Sequence, residues 1–430
     1  MKTRLPAACY LRAILLLCGV ACIAVAQGAA VEPVAALAAK EKAPLLDTLK
    51  DLVSIESGSG DREGLDKIST LIAARLTALG GKVELLEAGS DAYRMVDTPK
   101  QIGRMVLARF AGTGNKKILL IAHMDTVYLR GMLEKQPFRI DGNRAYGLGI
   151  ADDKQGIATI LHTVALLKTL NFRDYGELTV LINADEEVSS PGSRALLTRL
   201  GADADAVFSF ESSRVESDRL SLTTAGIAAV VLKVEGKASH AGSAPELGRN
   251  ALYELSHQIL QTRDLSDAKT GLKMNWTISS AGTNRNVIPA IGSAVADVRV
   301  LRIADYDGIE AKVRERIKTQ LIADTKVTME FERRRPPLEM TPGAETLARY
   351  AQTIYREIGW ELVVGTVAEG GGTDAAFAAL RAKGPVIERF GLRGFGGHSN
   401  DAEYIEIDSI EPRLYLAARL IMDFAIGKAK

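Results

Sequence analysis

KILLIAHMDTVY, residues 117–128, is an apolar run that ends on a histidine, with an aspartate two positions further on. The segment Ile118–Ala122 has strand length and no polar alternation, the mark of a strand buried on both faces. His123 then falls at the strand's C-terminal end, where open α/β sheets place their sites. Asp125 returns to the same side and can hold the second ring nitrogen of His123, fixing its tautomer. Taken alone, a histidine after a strand is as readily structural as functional, so the neighbouring segments decide.

Upstream, residues 39–80 carry helical periodicity that stops at Gly80-Gly81, and KVELLE and MVLARF read as strands. Downstream come a helix over about 154–170, the strand ELTVLIN, a helix over 192–200 and the strand AVFSF. Alternating strands and helices predict an α/β layer around a buried mixed sheet. After about residue 222 the order becomes β-α-β-β-α-β: AGIAAVVLKVEG, ELGRNALYELSHQILQT, NWTISSAG, GSAVADVRVL, YDGIEAKVRERIKTQL and TKVTMEFE. That is the order of a ferredoxin-like α+β unit. The α/β pattern then resumes with a helix over 344–358, a strand over 361–366, a helix after Asp374, the strand PVIERF and a last helix over 409–426. The reading is a catalytic domain in two parts, 27–222 and 336–430, with residues 223–335 inserted as a lid. Both connections must then run side by side.

Acids recur where strands end. Asp152-Asp153-Lys154 opens the helix after the His123 strand, which by itself is as well explained by helix capping and first-turn charge. ELTVLIN leads into Asp185-Glu186-Glu187, three acids that repel one another and need a cation, with no base nearby before Arg194. AVFSF is followed by Glu211, and a glycine-rich loop supplies His398. His123, Asp152, Glu187, Glu211 and His398 make a donor set of two imidazoles and three carboxylates. It suits Zn²⁺, and equally Mn²⁺ or Co²⁺, with one carboxylate bridging two ions. His162 and His257 fall in amphipathic helices and read as structural.

Composition narrows the classes. The chain has 430 residues, too many for one simple core, and its 47% hydrophobic and 25% charged residues are those of a globular protein. A formal charge of +1, without a dense basic tract, gives no sign of nucleic-acid binding. Lys2, Arg4 and Arg12, the apolar run 13–26 and Ala24-Val25-Ala26 read as a secretory signal peptide, residues 1–26, with lipoprotein processing at Cys22 the weaker option. Export to the periplasm or medium follows. The segment holds all three cysteines, Cys9, Cys18 and Cys22, so the predicted mature chain has no thiol chemistry. No membrane span is expected in it.

The motifs HMDTV, GIADDKQG, DEE, SFE, ASHAG, GGGTDAA and HS-x-x-AEY, over nearly all of residues 40–428, resemble the M20 family of zinc carboxypeptidases and deacylases. The bacterial glutamate carboxypeptidase branch is the most similar. The resemblance implies two Zn²⁺ per subunit: His123 and Glu211 on one, Glu187 and His398 on the other, and Asp152, first acid of the DDK motif, bridging. It implies Asp125 as the residue orienting His123, Glu186 as general base and a cis bond between Asp152 and Asp153. It implies a homodimer made by the lid, with His240 of the other subunit's lid as oxyanion donor. Arg299 would clamp a substrate carboxylate, and Asn286 and Gly372 would touch substrate. Arg219 stands where that branch has Lys. Two further positions depart from it: Gly397 replaces Tyr, and Ala368-Glu369 replaces an Arg-Thr pair, changes that widen or alter specificity. The implied reaction is hydrolysis of the amide to a C-terminal amino acid, glutamate first, in folate-like, N-acyl or peptidyl substrates. A broad aminoacylase or dipeptidase is the alternative. At least two of Arg333, Arg334 and Arg335 read as a solvated hinge surface.

Overall fold

The computed structural model describes residues 29–399 and 402–429. The segment read as a signal peptide, with Cys22, lies outside them. Two helices, α1 (Glu32–Val53) and α2 (Arg62–Ala78), precede three strands, β1 (Lys82–Leu86), β2 (Met105–Ala111) and β3 (Lys117–His123). Then come α3 (Gln155–Thr169), β4 (Glu177–Asn183), α4 (Arg194–Asp203) and β5 (Ala206–Ser209). Alternate residues of β3 serve different layers. Ile118, Leu120 and Ala122 join the core with α1, α2, α3 and the C-terminal helix, whereas Leu119 and Ile121 join α4 and the segment 375–378. A strand buried on both faces must be apolar throughout, as β3 is.

The smaller unit follows in the order β6 (Gly226–Glu235), α5 (Ala251–Thr262), β7 (Lys273–Ala281), β8 (Ile291–Val300), α6 (Asp305–Arg316) and β9 (Lys326–Arg335). Its sheet runs β7-β8-β6-β9 and every pair is antiparallel. α5 begins later than its apolar pattern suggests, because Asn250 caps it by accepting from the N–H groups of Leu252 and Tyr253. Ala294, Ala296, Val298 and Val300 of β8 pack with α5 and α6, so the alternating Val295, Asp297 and Arg299 face the other way. The buried apolar residues of this unit form clusters of their own, separate from those of the body. The chain enters and leaves it side by side: Thr224 N–H donates to the Leu338 carbonyl at 3.1 Å, and Leu338 N–H to Thr224 Oγ1 at 3.2 Å.

The body closes with α7 (Pro342–Glu357), α8 (Ala375–Ala379), β10 (Val386–Ile387) and α9 (Ile410–Ala425). Its main sheet runs β1-β2-β4-β3-β5-β10. β1, β2 and β4 pair antiparallel, and β4, β3, β5 and β10 pair parallel. The sheet is therefore mixed, and its parallel strands end along one edge. Short strands at Arg139–Asp141, Arg144–Tyr146, Ser213–Arg214, Arg393–Phe395 and Tyr404–Glu406 build a further sheet beside that edge, which the sequence pattern did not predict. Each has two or three residues, too few to set a period.

Candidate metal centre

Three neighbouring strand ends supply the centre. β3 ends at His123, β4 leads into Asp185–Glu187, and β5 leads into Glu211. Asp152 arrives from the turn before α3, where Gly149 takes a left-handed φ of +70° and the Asp152–Asp153 peptide is cis. A Cβ on Gly149 would lie 2.4 Å from Thr126 Cγ2, so only glycine fits this turn. Glu403 holds it from below, accepting from the N–H groups of Gly149, Ala151 and Asp152 at 2.9, 2.8 and 3.0 Å and from the Tyr128 hydroxyl.

The Asp152 carboxylate stands between two imidazoles. Its Oδ1 is 3.0 Å from His123 Nε2, and its Oδ2 is 3.4 Å from His398 Nε2. On the outer sides, Glu211 Oε1 is 3.3 Å from His123 Nε2 and Glu187 Oε2 is 3.0 Å from His398 Nε2. Two groups of possible ligand atoms, each within 4.8 Å of one another, follow: His123, Asp153 and Glu211, and Asp152, Glu187 and His398. Asp153 is buried, and its Oδ1 accepts from Gln155 Nε2 at 2.7 Å. His398 has a left-handed φ of +65°, a conformation that non-glycine residues adopt mainly where a site imposes it.

The electrostatics call for a cation. Burial, then the Asp152 charge, pushes Glu187 up to about 8, and burial and the Asp152 charge also raise Glu211. Burial opposes ionisation of Asp152, yet hydrogen bonds to His123 and His398 hold it well below the usual carboxylate range. His398 is pushed up to about 10 by hydrogen bonds to Asp152 and Glu187. Protons on the histidines thus balance charge that a metal ion would otherwise balance. Glu187 Oε1 is buried with no hydrogen-bond partner among the described residues. An orphaned buried carboxylate oxygen is costly, and a divalent cation at this donor set would satisfy it.

Asp125, fully buried, ties the centre together. His123 Nδ1 is 3.0 Å from its carbonyl oxygen and 3.3 Å from its carboxylate. The carboxylate also accepts from the Glu186 and Glu187 N–H groups at 3.0 and 3.1 Å and from Ser59 Oγ at 2.7 Å. The three consecutive acids therefore diverge. Asp185 accepts from Gly192 and Ser193, Glu186 pairs with the buried Arg335, and Glu187 joins His398. The base that meets these acids is Arg335, on Glu186, whereas Arg194 donates to the carbonyls of Ser189, Ser190 and Arg334. The reading of the arginine run is corrected as well: Arg333 alone is exposed, Arg334 is half-buried, and Arg335 is buried at the centre.

A cavity of about 720 Å³ lies between body and smaller unit, lined by Asp152, Glu186, Glu187, Glu211 and His398 on one side and by Arg299 and Arg335 on another. Gly372 is also in its wall. Arg299 is held by Asp297 and donates to the Gly370 carbonyl at 2.9 Å. Arg219 does not line the cavity; it is paired with Glu369, which does. His240 and Asn286 are exposed and lie together, the Ala241 N–H donating to the Asn286 carbonyl at 2.9 Å, away from the cavity wall of their own chain. Sequence reasoning missed Glu403, Arg335 and the Glu369 contacts. Glu403 sits inside HS-x-x-AEY, a signal read only for its histidine.

A two-lobed α/β chain with paired His/Asp/Glu clusters at strand ends is a metal-dependent hydrolase in class. Residues 119–423 match peptidase family M20/M25/M40. The chain is 46% identical over 391 residues to carboxypeptidase G2 of Pseudomonas sp. (strain RS-16), covering 91% of this chain and 92% of that protein. A succinyl-diaminopimelate desuccinylase of Wolbachia pipientis is 26% identical over 382 residues, 85% of this chain and 89% of that one. Among solved structures, a Staphylococcus aureus tripeptidase superposes with a TM-score of 0.72 at 21% identity, over 90% of this chain and 99% of that chain. The chain belongs to peptidase family M20/M25/M40 and is a metallopeptidase of that family, closely related to carboxypeptidase G2.

Proposed function

We propose that the protein is an exported, homodimeric zinc carboxypeptidase that hydrolyses the amide to a C-terminal amino acid, glutamate first, in folate-like, N-acyl or short peptidyl substrates. The observation that carries the metal reading is the Asp152 carboxylate, one oxygen toward His123 and the other toward His398, flanked by Glu211 and Glu187. His123 and Glu211 would hold one ion and Glu187 and His398 the other, with Asp152 shared. Asp152 is preferred to Asp153 because it contacts both histidines, whereas Asp153 Oδ1 is committed to Gln155.

When bound, the two ions supply Lewis acidity, which acidifies a water and polarises the scissile carbonyl. Glu186 takes the proton of the attacking water and returns it to the departing amine. Arg335 holds it for that task, donating through Nη1 to Oε1 and through Nη2 to the carbonyl oxygen, so that the second carboxylate oxygen handles the proton. Asp125 fixes the His123 ring and aims the Glu186–Glu187 backbone. Arg299 suits a substrate carboxylate. Gly372 lets the chain pass close to Arg335, since a Cβ there would lie 2.5 Å from Arg335 Cδ. His240 and Asn286 would reach the cavity of a second copy, His240 as oxyanion donor. A broader aminoacylase or dipeptidase reading draws on one observation, the Glu369 carboxylate covering Arg219.

Metal analysis with a leaving-residue panel tests this reading. Zinc near two per chain and cleavage of N-acyl-glutamate are expected, with activity lost on chelation. Glu186→Gln should retain its metal and lose turnover by about 10²-fold or more. Full activity in that variant would remove Glu186 from the proton transfer.

A further inference from the structure

The body-side wall of the cavity carries a charged cluster that the reaction above does not use. Arg214, Arg219 and Arg389 converge on one carboxylate. Arg214 donates to Glu369 Oε2 through Nε at 3.0 Å and Nη2 at 2.6 Å, Arg219 Nη1 pairs with Oε1, and Arg389 Nη2 lies 3.8 Å from Oε2. Glu369 and Arg389 line the cavity together with Ser212 and Ser221, while Arg214 and Arg219 do not. Glu369 therefore stands between two guanidinium groups and the space where substrate sits.

The two sides of this cluster are held differently. Arg214 and Arg219 lie on short strands fastened to the core by Asp218, which accepts from Ser213 Oγ at 2.8 Å and from Tyr355, and which pairs with the fully buried Arg413. Arg219 Nε is buried with no hydrogen-bond partner among the described residues. Glu369 sits in the connection between Val363–Gly365 and α8, next to Gly370, Gly371 and Gly372. Three guanidinium groups, always charged at neutral pH, face one acid. Burial pushes the Glu369 carboxyl up, but Arg214, Arg389 and Arg219 outweigh it and keep it below its ordinary range, so it is ionised.

A guanidinium fork is the side-chain arrangement best matched to a carboxylate. We infer that Glu369 is a specificity-determining residue: its carboxylate occupies the Arg214–Arg219 fork that an anionic group of the substrate would otherwise take, and so weakens the preference for acidic over neutral substrates without removing it. The inference rests on the amide-hydrolase reading above. The anionic group concerned is a carboxylate, carried either by the side chain of the released residue or by the acyl part.

The test uses metal-loaded full-length protein and two substrate panels. One keeps the acyl group and releases glutamate, glutamine or alanine. The other keeps alanine and varies the acyl group between succinyl and butyryl. Glu369→Gln should raise the acidic-to-neutral ratio of kcat/KM by about tenfold or more in one panel, and the panel that responds identifies where the carboxylate lies. Glu369→Ser, made in the same connection, should do the same, and adding Arg219→Gln to Glu369→Gln should bring the ratio back down. Melting curves and metal content establish that each variant is folded and loaded. Turnover with a ratio unchanged in both panels overturns the inference alone. Wild-type protein that is metal-loaded and cleaves no member of either panel overturns the hydrolase reading and this inference with it.

Discussion

One side chain, Asp125, governs three others. It meets His123 Nδ1 and caps the N–H groups of Glu186 and Glu187, so one carboxylate orients a ligand to each proposed ion and the proposed base. Asp125→Asn keeps the shape and removes the charge. Metal affinity should fall by about 10–100-fold, read by competition with a chromogenic chelator; unchanged affinity would exclude this positioning role. The same residues predict a pH dependence. In the metal-free protein, His398 is raised to about 10 by its hydrogen bonds to Asp152 and Glu187, and Glu187 is raised to about 8 by burial and the Asp152 charge. At neutral pH the hydrogen-bonded His398–Glu187 pair holds at least one proton that an incoming cation must displace. Affinity therefore weakens as pH falls, by up to about tenfold per pH unit for each proton displaced. Titrations at pH 6, 7 and 8 with proton-release measurements check this, and a flat profile would contradict it.

At the scale of elements, the centre is a property of the sheet edge. β3, β4 and β5 are parallel neighbours, so His123, Glu186–Glu187 and Glu211 must emerge side by side. That much was legible, because an apolar run ending in a ligand-type residue recurs three times in the sequence. The divergence of Asp185, Glu186 and Glu187 was not. Their partners are Ser193 nearby and Arg335 and His398 far along the chain, and no local pattern announces a pairing across that separation. Close packing between elements gives a further prediction. Gly372→Ala would drive a methyl group into Arg335 Cδ and Ile227 Cδ1, at 2.5 and 2.8 Å. Arg335 must shift away from Glu186, so kcat should fall about tenfold or more with metal content retained, because misplacing a reacting group is costly even when binding survives. Wild-type kcat would show that Arg335 has room to yield.

At the scale of the molecule, two units with separate apolar clusters meet around the cavity, where Asp97 of the body pairs with Arg334 of the smaller unit and Glu186 with Arg335. The proposed dimer completes that cavity with His240 and Asn286, which are exposed in their own chain. Complementation tests it. His240→Ala has an intact Glu186, and Glu186→Gln has an intact His240. Dissociated and reassociated in equal amounts, two inactive variants should recover about a quarter of wild-type activity through mixed dimers. No recovery, with mixed dimers demonstrated, would place the oxyanion donor elsewhere.

The sequence by itself determined the order of strands and helices, the interruption of one α/β layer by a β-α-β-β-α-β unit, and the residues that could bind metal. These depend on hydrophobic period and on residue type at strand ends, which are local properties of the chain. Only the tertiary structure decided that Asp152 spans both histidines, that Glu403 holds the turn carrying it, that Arg335 is buried against Glu186, and that Glu369 covers Arg219. Each is a polar contact between segments distant in sequence. Its geometry is set by how the sheet twists and how the smaller unit docks, and neither leaves a periodic trace in the order of residues.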